Sequence, residues 1–218
     1  MKLIGVCGPS GSGKGVVLEG FEKIGIPTIN ADEVYHKLTS KPSECVEALR
    51  AEFGDEIIFP DGSLDRRSLA KIVFAPDGAE KRNRLNEISH KFVIEEIRRI
   101  VKELSANNKM AALEAPLLFE SGLCDDCDII IGVEVENKVR IERICKRDGI
   151  SKKEARARIK SQLDDRALDR VCDYIIDNYG TKEEIYRAVE KIVPMIEEQE
   201  KKDGLPKPWK GNSEEDFL

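Results

Sequence analysis

Histidine and aromatic residues are scarce: 2 His, 1 Trp, 4 Tyr and 7 Phe among 218 residues. The two histidines, His36 and His90, are too few and too far apart in sequence for a histidine-based metal centre. No apolar run approaches the roughly 20 residues that cross a bilayer, so no membrane partner is expected. Nor is there a charged-then-apolar leader. A strand-like run begins at Leu3, so no signal peptide and a cytoplasmic location are expected. Six cysteines are scattered along the chain and read as reduced. Cys124-Asp125-Asp126-Cys127 is a lone C-x-x-C with no second ligand pair, and reads as a loop with two free thiols. Positive charge is outweighed overall, with a net −6, which argues against nucleic acid as a general partner. A guanine-reading Asn-Lys-x-Asp is absent. The nearest string, Asn137-Lys138-Val139-Arg140, weighs against a regulatory GTPase.

What is present begins with Gly8-Pro9-Ser10-Gly11-Ser12-Gly13-Lys14. The apolar run Leu3–Cys7 precedes it, and apolar residues at helical spacing follow from Val16. Strand, glycine loop and helix start are the context of a phosphate-binding loop. Glycines let successive N–H groups turn toward an anion, and the helix sets its positive end at the same place. Lys14 supplies a mobile charge for β- and γ-phosphates. Gly15 stands where the pattern has a Ser or Thr that would help hold Mg²⁺, and Val16 follows it.

Hydrophobic residues make up 40% and charged residues 36%, as in a globular enzyme with one α/β core and an inserted subdomain. Strands are predicted at Leu3–Cys7, Gly25–Ile29, Met110–Ala115, Asp128–Val135 and Tyr174–Ile176. Helices are predicted at Lys14–Lys23, Glu33–Leu38, Asn86–Leu104 and Lys182–Glu198. Alternation of the two predicts a parallel five-stranded sheet covered on both faces. The core is assigned to 1–36, 109–136 and 171–196, an all-helical insertion to 37–108, and a mobile charged tail to 197–218. Between 137 and 170 basic residues are twice as frequent as acidic ones, an island suited to a polyphosphate.

Asp32 follows a strand end, where ligands collect in open α/β sheets. It suits a base or hydroxyl-orienting group, and equally a helix N-cap. Glu114 ends a strand where a carboxylate could hold Mg²⁺ directly or through water. Glu120 is either functional or simply exposed. Arg140, Arg143 and Arg147 share a helix face by spacing, as do Arg158 and Gln162. Arginine forks suit phosphate oxygens, although most charge runs are solvated faces.

Taken in order, these pieces resemble the dephospho-CoA kinase family, a member of the P-loop kinase class, over residues 1–195. The likeness rests on Gly8–Lys14, Ile29-Asn30-Ala31-Asp32, Phe53-Gly54, Asp61–Arg67, and Leu85-Asn86 with His90. It continues through Pro116–Glu120, Arg143, Arg147-Asp148, Arg158 with Gln162, and Ile175–Gly180. The resemblance implies a P-loop kinase fold, a CoA-binding helical insertion and a basic lid. It implies transfer of the ATP γ-phosphoryl group, with Mg²⁺, to the ribose 3′-hydroxyl of dephospho-CoA. Asp32 then becomes the base or orienting residue. Gly11, Ser12, Gly13, Lys14, Gly15, Val16, Arg143 and Asn178 bind ATP. His90, Glu120, Arg158 and Gln162, beside Asp32, contact the acceptor, and Lys14, Arg143 and Arg147 assist the transfer. Three departures stand out: Asn30 replaces the first Asp of the family's I-D-A-D, Lys91 replaces a Pro, and Gly15-Val16 replaces Ser-Thr. Adenylate kinases resemble the chain at Gly13-Lys14-Gly15. Another small-molecule kinase with a nucleoside or sugar acceptor, and a nucleotide-binding regulator, are the alternatives. The sequence leaves the oligomeric state open.

Overall fold

The computed structural model describes residues 1–115, 118–160, 168 and 170–199. They form two compact units, Ile29–Glu103 and the remainder of the described chain.

The larger unit is built on a five-stranded sheet of order β2-β3-β1-β4-β5. Its strands are β1 (Lys2–Cys7), β2 (Thr28–Asn30), β3 (Met110–Glu114), β4 (Ile129–Glu134) and β5 (Tyr174–Asp177). β1 pairs in parallel with both β3 and β4, and β4 pairs in parallel with β5. The strand order therefore reverses at β1, and the carboxyl end of β1 is the switch point where such sheets bind ligands. β3 is buried at every position and β1 from Leu3 onward, as expected of strands covered on both faces.

Helix α1 (Lys14–Lys23) packs Val17, Leu18 and Phe21 into a core with Ile4, Val6, Ile131 and Val133. The C-terminal helix of the described chain, Lys182–Glu198, adds Ile185, Val189, Ile192 and Ile196 to that core. Its start is set by a capping box. Thr181 accepts from the Glu184 amide at 3.3 Å, and the Glu184 carboxylate accepts from the Thr181 amide at 2.7 Å. Two helices carry the basic island, Asn137–Asp148 and Lys152–Lys160.

Ile29–Glu103 has its own core. Helices α2 (Ala31–Thr39), α3 (Glu44–Phe53), α4 (Arg66–Val73) and α5 (Ala79–Leu104) enclose most of it. Cys45, Val46, Leu49, Phe53, Ile57, Leu64, Leu69 and Val73 pack there, with Leu85, Ile88 and Phe92 against them. The Asp61–Arg67 motif has a local structural part. Asp61 accepts from the Ser63 amide at 2.9 Å, and Asp65 caps α4 by accepting from the amides of Arg67 and Ser68. With these definitions, the two basic helices are α6 (Asn137–Asp148) and α7 (Lys152–Lys160), and the C-terminal helix is α8.

Several expectations are corrected. The second strand is Thr28–Asn30, not Gly25–Ile29, because Gly25 at φ 80° is still turning the chain out of α1. α2 starts at Ala31, and its cap is Asn30 rather than Asp32: the Asn30 Oδ1 accepts from the amides of Asp32 at 2.9 Å and Glu33 at 3.1 Å. Asn30→Ala should lower stability by about 1 kcal/mol, read as a lower midpoint in urea; an unchanged midpoint would contradict the cap. α5 starts at Ala79, not Asn86, through a charged first stretch in which Arg82 donates to the Val73 carbonyl at 2.9 Å. Ser89 is buried on that helix because its hydroxyl donates to the Leu85 carbonyl at 2.7 Å. The C-x-x-C segment is no open loop: Leu123–Asp126 forms a 3-10 turn, and Cys124 and Cys127 are buried. The two expectations for Glu197 and Glu198 resolve in favour of the predicted helix Lys182–Glu198 over a tail from 197: both belong to α8, and the Lys2 ammonium donates to the Glu197 carbonyl at 3.0 Å. All six cysteines are free. Among the described residues, no helix is long and apolar enough to cross a membrane.

Candidate active site

Residues Gly8–Lys14 link β1 directly to α1 at the switch point. Ser12 donates its amide to the Pro9 carbonyl at 3.1 Å, which closes the turn. Gly13 caps α1 at φ 94°, ψ 29°, a left-handed conformation. A Cβ there would sit 2.0 Å from Asn178 Nδ2, so space as well as backbone requires glycine. The Asn178 amide donates to the Ser12 carbonyl at 2.7 Å and is itself buried. Ser12 is fully buried, and its Oγ has no partner among the described residues. Such a hydroxyl costs about 1–3 kcal/mol unless something accepts from it. An orphan donor, a glycine cap and a helix N-terminus in one loop fit an anionic ligand.

Lys14 opens α1 with its side chain mostly buried. Its ammonium donates to the Gly8 carbonyl at 2.9 Å and lies 3.7 Å from Glu114 Oε1 at the end of β3. A cation at the start of α1 is thus paired with a buried carboxylate at the end of β3. Gly15 is exposed, and a Cβ on it would meet nothing within 4 Å, so packing does not demand the missing side chain.

The arginines of α6 converge on this loop. Arg140 Nε donates to the Ser10 carbonyl at 3.2 Å. Arg143 NH1 reaches the Ser12 carbonyl at 3.2 Å, and its NH2 reaches the Asn178 carbonyl at 3.3 Å. Arg147 NH2 approaches Ser10 Oγ at 3.4 Å. The shared helix face is therefore not simply a solvated one. Arg140, at 2% exposure, is wholly interior, which the spacing of charges on a helix cannot reveal. Asp148 pairs with Arg147 at 2.7 Å and with Arg158 on α7. Hydrogen bonds from Arg147 and then Arg158 hold its carboxyl down at about 2, so this cluster keeps its charges through the neutral range.

Lys14, Glu114, Arg143, Arg147 and Asn178 thus gather around Gly11–Val16. Glu120 is exposed in the turn after β3, and Arg158 is exposed on α7. Gln162 lies outside the described residues. Asp32 is exposed on the first turn of α2, and His90 is half-buried on α5, both within Ile29–Glu103. Among the described residues, no cluster of three or more His, Cys, Asp or Glu could hold a metal ion.

A family model described as dephospho-CoA kinase matches residues 2–184. The chain belongs to the dephospho-CoA kinase family. A dephospho-CoA kinase of Aquifex aeolicus is 36% identical over 192 residues, covering 88% of this chain and 96% of that one. A solved Thermus thermophilus structure superposes with a TM-score of 0.71 at 28% identity, covering 89% of this chain and 97% of that one. The dephospho-CoA kinase of Campylobacter jejuni superposes at 0.63 with 24% identity over 89% and 97% of the two chains, a likeness of fold. Family membership makes this enzyme a nucleotide-using kinase of coenzyme A synthesis.

Proposed function

We propose that the loop Gly8–Lys14 and the residues around it hold the phosphates of ATP while the γ-phosphoryl group passes to the ribose 3′-hydroxyl of dephospho-CoA. The observation that carries this reading is the loop itself: a left-handed glycine cap, an orphan Ser12 hydroxyl and Lys14 at the N-terminus of α1. Phosphoryl transfer asks little covalent chemistry of a protein; it needs in-line placement and neutralised charge. Lys14 exchanges the Gly8 carbonyl for phosphate oxygens. Arg143 and Arg147 place positive charge on the same loop as α6–α7, the proposed lid, closes and excludes water.

Asp32 follows the carboxyl end of β2, where ligands collect in such sheets, and it is the group proposed to take or orient the acceptor hydroxyl. His90, Glu120, Arg158 and Gln162 are the proposed acceptor contacts, and the helical unit is the proposed CoA-binding part. Mg²⁺ bound together with ATP would supply charge neutralisation of its phosphates. Because position 15 offers no hydroxyl, Glu114 is the protein group proposed to hold the ion, directly or through water. The reaction is placed in the cytoplasm.

ADP release from purified protein with ATP, Mg²⁺ and dephospho-CoA tests this reading, with nucleosides and sugars as competing acceptors. Release is expected with dephospho-CoA alone. Equal release with a nucleoside or sugar, or none above a Lys14→Ala control, would overturn it.

A further inference from the structure

The backbone of the phosphate loop is held from behind, and the holder at its apex is a residue that does not itself need to touch phosphate. In a trans peptide the C=O and the next N–H point in opposite directions. Fixing a carbonyl on one side therefore fixes an amide toward the other. The Ser10 carbonyl accepts from Arg140 Nε at 3.2 Å. The Gly11 carbonyl accepts from Arg143 at 3.4 Å, and the Ser12 carbonyl from Arg143 at 3.2 Å and Asn178 at 2.7 Å. Three successive carbonyls are thus captured by donors from α6 and from the segment after β5. The amide of Gly11, coupled to the Ser10 carbonyl, and the amide of Gly13, coupled to the Ser12 carbonyl, are turned away from those donors.

We infer that Arg140 is a positioning residue that presets the Gly11 amide for the nucleotide phosphates. Three observations point to it rather than to general packing. Arg140 is 2% exposed and heads the fully buried side chains by volume, and burying a charge is costly unless it is well used. It is aimed by a second hydrogen bond, NH1 to Asn137 Oδ1 at 2.8 Å, which locks the fork from within α6. Finally, the loop is seated directly on this residue: a Cβ on Gly11 would lie 3.0 Å from the Arg140 carbonyl oxygen and 3.2 Å from its Cα. Contact this close leaves the apex of the loop little freedom once the carbonyl is bonded.

The inference rests on the proposed reading of the loop as the ATP phosphate site, and its test separates the two. ADP binding by calorimetry and backbone amide exchange without nucleotide would be measured on wild type, Arg140→Met and Arg140→Lys. Arg140→Met is expected to weaken ADP binding by about tenfold, the loss of a charged hydrogen bond. It should also speed amide exchange at residues 10–13 while β1, β3 and β4 stay protected. KM for dephospho-CoA should not move. Arg140→Lys can still reach one carbonyl, and should recover part of both the affinity and the protection.

Unchanged ADP affinity in both variants would overturn the inference. So would equal losses of exchange protection across the whole sheet, the mark of mere destabilisation. Failure of Arg140→Met to fold, with Arg140→Lys behaving as wild type in affinity and exchange, would also count against it. Wild-type protein that binds no ADP would overturn the phosphate-site reading and this inference together.

Discussion

Replacing Asp32 by Asn should lower turnover by about 10²–10⁴-fold while ADP still binds at wild-type strength. The substitution is nearly isosteric and leaves the backbone of α2 as it is. The cap of that helix is the Asn30 side chain, so the amide of Asp32 keeps its acceptor at 2.9 Å whatever stands at position 32. Loss of activity therefore cannot be assigned to a frayed helix. What disappears is the one exposed carboxylate of the Asn30-Ala31-Asp32 segment, the family's second Asp. With Asn already at position 30, no neighbouring carboxylate in that segment can stand in for it. An Asp32→Asn enzyme with normal turnover would remove Asp32 from the reaction. A variant that loses ADP affinity would move its role from acceptor to nucleotide.

The second large effect is expected at Lys14. Lys14→Ala should reduce kcat/KM by roughly 10²–10³, on the scale of losing one preorganised charged donor. ADP binding should weaken alongside it, because this lysine meets phosphate in ground state and transition state alike. The local geometry sets the form of the result. Lys14 Nζ bridges the Gly8 carbonyl and the vicinity of Glu114, which is buried to 8% exposure. Removing the ammonium deprives that carboxylate of a cation 3.7 Å away. Arg143 cannot replace it, since its bonds are committed to the Ser12 and Asn178 carbonyls. Steady-state kinetics with calorimetry on ADP would check both parts, and retained kcat/KM would contradict them.

The fold was legible where one local signal ruled. β1, the glycine loop and α1 follow from an apolar run, three glycines and a helical period. α8 spans Lys182–Glu198 as expected, because Thr181 and Glu184 fix its start locally. Legibility failed where a side chain is defined by distant partners. Asn30 looked like a lost carboxylate, yet its amide oxygen is the cap of α2. The first turns of α5 have almost no apolar period and bury no residue, so hydrophobic periodicity could not show them. In the site, the loop and the shared face of Arg140, Arg143 and Arg147 could be read from spacing. The burial of Arg140 could not, because it is set by Ser10, distant in sequence. Asn178 came from family likeness alone, and its bond to the Ser12 carbonyl, formed across the fold, could not be read from spacing.

The pairing of β1 also has a consequence for how the chain is made. Lys2 sits opposite Met110, and Ile4 opposite Ile129. During synthesis β1 leaves the ribosome long before either neighbour exists. At roughly 5–20 residues per second, it waits on the order of 5–20 s for β3. Ile29–Glu103, with a core of its own, is complete within that interval. The nascent glycine loop is thus translated well before the strands and the α6 arginines that surround it in the folded protein.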